Sequence, residues 1–147
     1  PTVCGEDWGL NAVYANICLI NHDCMPNSNP SWNRNLNMQT IYAMCNIKAG
    51  KEITICYTNG VTTQQRQVYL KQFFGFECAC SLCSLSPTER MLSDIRRTQI
   101  DRMNEDIFTD DLSSFNPGTA LNKLYKLIQL LEEVRSQHQL FTSASLT

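Results

Sequence analysis

Three cysteines within six residues constrain this chain more than any other feature of its sequence. Cys78, Cys80 and Cys83 follow the spacing C-x-C-x-x-C. They lie too close together for three independent disulfide bridges, but a turn of this spacing can direct three thiolates at one metal ion. Tetrahedral zinc takes four ligands at about 2.3 Å, so the pattern predicts a zinc site whose fourth ligand comes from elsewhere in the chain.

The even number of eight cysteines also permits an alternative, a disulfide-stapled extracellular domain. However, the first ten residues, PTVCGEDWGL, lack the basic region and the long apolar stretch of a signal peptide. We therefore expect an intracellular protein, in the nucleus or the cytoplasm. Four further cysteines lie in or beside apolar runs, and we predict that they are small buried side chains: Cys4, Cys18, Cys45 and Cys56.

Charge and composition exclude two classes of partner. The 147 residues, 43% of them hydrophobic and 18% charged, have an ordinary globular composition. Twelve Lys and Arg against fourteen Asp and Glu give a net charge of -2, so no basic surface is expected to hold a phosphate backbone. No apolar run approaches the roughly 20 residues that span a bilayer. We expect neither direct nucleic-acid binding nor a membrane partner.

Two segments alternate apolar and polar residues, as half-buried strands do. In residues 39–47 the predicted buried face is Ile41, Ala43, Cys45 and Ile47. In residues 52–57 every second side chain is again apolar, and Tyr57 stands at the end. Because a turn-like KAGK separates the segments, we predict that they form an antiparallel hairpin.

Three helices follow in the second half. Thr62 with Gln65 resembles a capping box, the apolar spacing continues through Phe73, and Gly75 supplies a stop. For the next helix, Ser86 is the predicted N-cap before Pro87 and Glu89, and the helix runs to about Phe108. After a loop at residues 110–118, the third helix is indicated by an apolar stripe: Leu121, Leu124, Tyr125, Ile128, Leu131 and Val134.

The segment CLINHDCMPN, residues 18–27, joins an apolar run to a Pro-Asn turn and has three interpretations. Asn21 and His22 can be loop residues that satisfy backbone groups. Cys24 and His22 can be a nucleophile and a base, but no oxyanion-hole motif accompanies them. Finally, Cys24 can be the distant fourth zinc ligand.

Three segments together resemble the SET-domain protein lysine methyltransferases. NHDCMPN (21–27) is similar to the family signature N-H-S-C-x-P-N, and GKEITICY (50–57) is similar to G-E-E-I-T-x-x-Y. FECACSLC (76–83) resembles the zinc motif of the post-SET segment. The three motifs occur in the family's order, and the cysteine spacing resembles most closely the SET-and-MYND branch and fungal SET proteins.

The resemblance implies an α+β fold with three parts. Residues 1–72 would be the C-terminal part of a β-rich SET domain, residues 73–86 a zinc-bound post-SET segment, and residues 87–147 a helical region. It also implies that one zinc ion is bound by four cysteines: Cys24, Cys78, Cys80 and Cys83.

The implied activity is S-adenosylmethionine-dependent protein lysine N-methylation, on a histone or a non-histone protein. Tyr57 matches the family's catalytic tyrosine, which aligns the lysine amine and the methyl group rather than acting as a strong base. Asn21 and His22 match the cofactor-contacting pair, and Phe76 matches the aromatic that packs on the adenine. Phe74 matches a wall of the lysine channel, where an aromatic face attracts a methylated ammonium.

Departures from the family pattern limit this expectation. Asp23 stands where Ser is usual, and Lys51 stands where one of the motif's two Glu residues is usual. Gly5 and Gly9 are too far apart to form the family's G-x-G cofactor loop. We therefore expect the family's N-terminal half, and any MYND finger, to lie upstream of Pro1, and this chain alone to be inactive. The alternatives are a SET-derived pseudoenzyme, which would share every motif found with an active methyltransferase, and a zinc-stabilised protein-interaction module.

Overall fold

The computed structural model describes residues 13–109 and 116–144. The predictions that concern Cys4, Gly5 and Gly9, and most of the predicted loop at 110–118, lie outside the described residues. The chain divides between Asn59 and Gly60 into two compact units. Strands occupy the first unit and α-helices the second, so the predicted α+β class is confirmed.

An antiparallel hairpin forms the larger sheet of the first unit. β2 (Ser28–Asn33) pairs with β3 (Met38–Ala43), so that Ser28 lies opposite Ala43 and Asn33 opposite Met38. The connecting turn places Asn37 at a φ of 50°, a left-handed conformation that Asn tolerates better than most residues. Asn33 accepts backbone hydrogen bonds within the turn, at Oδ1.

A second, parallel pair joins two distant segments of the first unit. β1 (Asn21–His22) follows a 3-10 turn at Ile17–Leu19 and pairs with β4 (Thr54–Ile55). In this register Asn21 lies beside Thr54 and His22 beside Ile55. Ile55 is buried, with 4% of its surface exposed.

The predicted hairpin between residues 39–47 and 52–57 is wrong. β3 ends at Ala43 and pairs with β2, whereas the second segment contributes only Thr54–Ile55 and pairs with β1. β2 was not predicted because its sequence, SNPSWN, contains residues that are depleted in strands.

The predicted burial of cysteines outside the zinc motif is wrong wherever the structure describes them. Cys18, Cys45 and Cys56 are exposed. Cys56 follows buried Ile55, and successive strand residues face opposite sides. Cys45 lies beyond the end of β3, where the period-two pattern no longer determines its direction; Ala43 is exposed as well. Apolar neighbours in the sequence were therefore not sufficient to predict that these thiols are buried.

The second unit begins with α1 (Thr63–Phe74), and both of its predicted ends are confirmed. Thr62 Oγ1 accepts from the Gln65 N–H, while Gln65 Oε1 accepts from the Thr62 N–H at 2.9 Å. This reciprocal capping box satisfies two donors that the helix cannot pair internally. Gly75 ends the helix at a φ of 78°, which costs glycine little.

α2 and α3 complete the second unit and pack against each other. α2 (Pro87–Thr109) begins where predicted, because Ser86 and Glu89 form another capping box. The hydrogen bonds from Ser86 lower the pKa of the Glu89 carboxyl group. α3 (Pro117–Ala144) confirms the third predicted helix. In the part of the chain that the structure describes, no helix is long and apolar enough to cross a membrane.

The apolar stripes that predicted α1 and α3 are not their packed faces. On α1 the buried residues are Arg66 and Leu70, whereas Val68 and Phe73 are 58% and 62% exposed. Among the α3 side chains that the structure describes, Leu127 is the buried one, and Tyr125, from the predicted stripe, is 60% exposed. Helical spacing of apolar residues indicates a helix, but which side is covered depends on the neighbouring element.

A buried arginine joins the start of α1 to α2. Arg66, only 1% exposed, donates to the Val61 carbonyl and to Thr63 Oγ1. Asp94 of α2 accepts from both the backbone N–H and the hydroxyl of Thr63, each at 2.9 Å. Asp94 Oδ1 also lies 3.9 Å from Arg66 Nη2. The charge of Arg66 is therefore compensated by an anion and by acceptors, as burial requires.

The left-handed end of α1 leads to a first prediction. Gly75→Ala should lower the free energy of unfolding by about 1 kcal/mol, because a Cβ is strained at this φ although nothing lies within 4 Å of it. Gly75→Asn should cost less, since Asn tolerates this region. Urea unfolding measures both variants. Gly118→Ala, in the first turn of α3 without a positive φ, is the control; equal effects of the two alanine substitutions would contradict the interpretation.

Candidate active site and metal centre

The parallel pair places the Asn-His segment next to the segment that ends in Tyr57. His22 Nδ1 accepts a hydrogen bond from the Tyr57 backbone N–H at 3.0 Å. The rings of His22 and Tyr57 have centroids 5.3 Å apart and planes 47° apart. The Tyr57 hydroxyl donates to the carbonyl of Ile20, the residue before β1. His22 and Tyr57, 35 residues apart in sequence, thus belong to one site.

Tyr57 is a neutral phenol at physiological pH. Its partial burial raises the pKa of its hydroxyl, and electrostatic repulsion from the nearby Cys18 raises that pKa further. Both effects disfavour the phenolate. The hydroxyl therefore serves as a hydrogen-bond donor and acceptor, and it is a weaker acid than an exposed tyrosine.

Asn27 and Glu52 lie in the two motif segments, but the sequence predicted no role for either. Asn27 Nδ2 donates to the Glu52 carbonyl at 2.8 Å, and Asn27 Oδ1 accepts from the Thr54 N–H at 3.0 Å. The Ser28 hydroxyl donates to the Thr54 carbonyl at 2.8 Å. The side chain of Glu52 in turn accepts from Asn21 Nδ2 at 2.6 Å. The positions of Asn27 and Glu52 in the motifs gave no indication of these long-range bonds.

The cysteine triplet lies in the turn that follows α1. Gln67 of α1 binds the backbone of Cys78 at both its polar groups: Nε2 donates to the carbonyl at 2.7 Å, and Oε1 accepts from the N–H at 2.9 Å. The turn is closed by Ser84, whose N–H donates to the Cys80 carbonyl. Cys78 and Cys83 are buried and Cys80 is half-buried. Gln67 is thus a further site residue that periodicity did not reveal.

Three of the thiols that the sequence predicted as metal ligands lie together in this turn. The Sγ atoms of Cys78, Cys80 and Cys83 lie within 4.8 Å of one another. Ligands at about 2.3 Å around a tetrahedral zinc would lie about 3.8 Å apart, so the three thiols fit such an ion with small adjustments. None of the seven cysteines that the structure describes forms a disulfide bridge. The turn can therefore supply three ligands to a metal ion, and the fourth ligand, Cys24, stays a prediction.

The buried thiols of this turn ionise readily only when a cation is bound to them. Burial is the main cause that raises the pKa of Cys78 to about 12, and the neighbouring Cys80 and Cys83 also raise it. A coordinated cation reverses this effect, because it binds the thiolate directly. The donor set and its burial both favour a thiophilic metal such as zinc.

Phe74 and Phe76 are each half-buried at and after the end of α1. The ring of Phe74 lies 6.3 Å from that of Tyr69, with planes 45° apart. Their assignment to the lysine channel and the adenine stays a prediction.

Comparison with known proteins agrees with this site. Residues 4–58 match the family model of the SET domain. Histone-lysine N-methyltransferase set5 of Schizosaccharomyces pombe is 35% identical over 116 residues, which cover 78% of this chain and 36% of that protein. ATXR4 of Arabidopsis thaliana is 35% identical over 54% of this chain and 24% of its own length. Human SMYD3 is 35% identical over 56% of this chain and 19% of its own length.

These matches confirm the resemblance of the chain to SET-domain lysine methyltransferases, and the match to the SET-domain model covers residues 4–58. The chain spans 36% or less of the length of the three relatives named above.

The clamp between α1 and the cysteine turn gives a second prediction. Gln67→Ala should lower zinc affinity about 10- to 100-fold, because groups that orient metal ligands typically contribute that much. Competition with a chromophoric chelator measures the affinity. Gln67→Glu retains an acceptor for the Cys78 N–H but has no donor for the Cys78 carbonyl. Its zinc affinity should therefore lie between those of the native chain and the alanine variant.

The matched control is Gln72→Ala, on an exposed position of the same helix. If Gln67→Ala bound zinc as tightly as Gln72→Ala, the proposed support of Cys78 by Gln67 would be disproved.

Proposed function

We propose that the protein is an S-adenosylmethionine-dependent protein lysine N-methyltransferase, acting on a histone or on another protein. The observation that carries this proposal is the bonding of Tyr57 to both the backbone before β1 and the ring of His22. It joins the two sequence motifs that resemble the family's cofactor and catalytic segments. Three relatives that bear the name histone-lysine N-methyltransferase support it. A histone substrate would place the protein in the nucleus or the cytoplasm.

The polar groups around Asn21 suit the amino-acid end of this cofactor. Asn21 Nδ2 is bound to Glu52, which leaves the amide oxygen as an acceptor for an ammonium group. The adjacent carboxylate of Glu52 adds attraction for the same positive charge. His22 would contact the adenine through its backbone, and Phe76 would pack on the ring. When bound, the cofactor supplies a sulfonium methyl group for transfer.

Tyr57 would orient the substrate amine. Because its hydroxyl proton is donated to the Ile20 carbonyl, the phenolic oxygen presents its lone pairs to an incoming N–H group. Accepting that N–H turns the nitrogen lone pair toward the methyl group, which is alignment and not proton abstraction. The raised pKa of Tyr57 agrees with this role.

The substrate lysine must also lose its proton before it reacts. An ordinary lysine, with a pKa near 10.4, needs roughly 4 to 5 kcal/mol to become neutral at pH 7. Phe74, as an apolar wall of the lysine channel, would lower this cost by removing water from the ammonium group. Its ring face would also attract a methylated product.

A calorimetric titration of the chain with S-adenosylmethionine tests whether it binds this cofactor. We expect heat of binding that is lost in an Asn21→Ala variant. A native, zinc-loaded chain without any binding heat would contradict the proposal and would favour a zinc-stabilised interaction module.

The zinc assignment gives a third prediction. We propose that Cys24, Cys78, Cys80 and Cys83 bind one zinc ion, so Cys24→Ser should reduce zinc occupancy and the thermal midpoint together, since structural zinc contributes folding free energy. Metal analysis and a thermal melt measure the two effects. Cys45→Ser, at an exposed cysteine, is the control. Full occupancy with an unchanged midpoint in Cys24→Ser would remove Cys24 from the site.

The role of Tyr57 gives a fourth prediction. In the full-length protein, Tyr57→Phe should lower turnover in methyl transfer on the order of 100-fold, because misalignment of reacting groups can cost that much. Cofactor affinity should stay within a few-fold, since the ring and its packing against His22 remain. Radiolabelled methyl transfer and cofactor titration separate the two effects.

Tyr42→Phe, on an exposed tyrosine of β3, should change neither quantity. Undiminished turnover in Tyr57→Phe, or an equal loss of cofactor affinity, would count against the alignment role.

A further inference from the structure

We infer that the side chain of His22 is a positioning residue that links the metal-bound thiolate of Cys24 to the backbone of Tyr57. This inference rests on the proposed roles of Cys24 and Tyr57. It concerns the imidazole ring, whereas the family resemblance assigns His22 only a contact of its backbone with the cofactor. All three residues lie in the first unit.

Both ring nitrogens of His22 have defined neighbours. Nδ1 lies 3.0 Å from the Tyr57 backbone nitrogen, and Nε2 lies 3.3 Å from Cys24 Sγ. Cys24 is 4% exposed and His22 is half-buried, so water does not dilute these bonds as it would on an open surface. Cys24, after β1, and Tyr57, after β4, are thus connected through one planar ring.

The bond to Tyr57 determines the tautomer. A backbone N–H can only donate, so Nδ1 must accept and cannot carry a proton. In a neutral imidazole the proton then lies on Nε2, which places an N–H donor against the Cys24 sulfur. The geometry therefore admits one arrangement: Tyr57 N–H to Nδ1, and Nε2–H to Sγ.

An N–H donor at a metal-bound thiolate has a defined effect. Four thiolates on a divalent zinc carry a net charge of -2, and a hydrogen bond to one sulfur disperses part of it. The same ring fixes the direction of the Cys24 side chain, as outer groups do for metal ligands generally. Because its other nitrogen holds the Tyr57 N–H, the position of the sulfur and that of the catalytic tyrosine are coupled.

Two conservative substitutions separate the two ends of the ring. In His22→Asn the amide oxygen takes the place of Nδ1, which keeps the acceptor for Tyr57 and removes the donor to Cys24. In His22→Gln the amide nitrogen takes the place of Nε2, which keeps the donor and removes the acceptor. If the ring only filled space, the two variants would have the same zinc affinity and the same effect on the amide signal of Tyr57.

Three measurements on the 147-residue chain test the inference. Nitrogen-15 NMR reports which nitrogen of His22 is protonated, with a His138→Gln background so that one histidine remains. Chelator competition reports zinc affinity. The absorption of the cobalt-substituted chain reports the donor strength of its thiolates.

We expect Nε2 to be protonated and Nδ1 to be bare in the zinc-loaded chain. His22→Asn should weaken zinc binding about 10- to 100-fold and shift the thiolate-to-cobalt absorption. His22→Gln should retain zinc affinity within a few-fold but change the amide signal of Tyr57.

A proton on Nδ1, or equal zinc affinities of the asparagine variant and the native chain, would overturn the inference even if one of the variants failed to fold. These outcomes leave the proposed zinc site intact. Conversely, a native chain that bound neither zinc nor cobalt would overturn both the zinc site and this inference.

Discussion

The parallel pairing of β1 with β4 is the interaction on which the candidate site depends. Each strand has two residues, and a pair this short has too few ladder hydrogen bonds to be stable alone. Its stability comes from side chains, since Asn27 and Ser28 bind the backbone around Thr54. His22 and Tyr57 extend the same connection beyond the ladder. Without this pairing, Asn21 and Tyr57 would belong to unrelated loops.

The cysteine triplet imposes a second constraint, which is electrostatic. Buried thiols are stable while they are neutral, and the pKa of about 12 at Cys78 reflects the cost of charging one without a cation. The proposed metal ion would offset that cost, because thiolates bind it directly. Metal binding would then be coupled to folding of the turn that carries the triplet, which α1 holds through Gln67.

The features that could be predicted from the sequence are local or chemically specific. Both capping boxes and the glycine at the end of α1 involve residues within a few positions of each other, so spacing alone identified them. The cysteine triplet was predictable as a metal site because three cysteines this close in sequence cannot form separate disulfide bridges but can bind one metal ion. Strand pairing was not predictable, since it depends on competition between distant segments. In addition, β2 contains Pro30 and asparagines, which are uncommon in strands. The packed faces of α1 and α3 likewise depend on neighbours that periodicity does not describe.

Asn27 and Gln67 show why the rest of the site was hidden. A side-chain amide offers both a donor and an acceptor, as a peptide group does, so it can satisfy irregular backbone that has no strand partner. Asn27 does so for the segment that leads to Tyr57, and Gln67 does so for the turn that carries Cys78. Such bonds leave no repeating pattern, because one residue is enough. The consequence is that reactive side chains can lie on loops and two-residue strands and still be held in fixed positions.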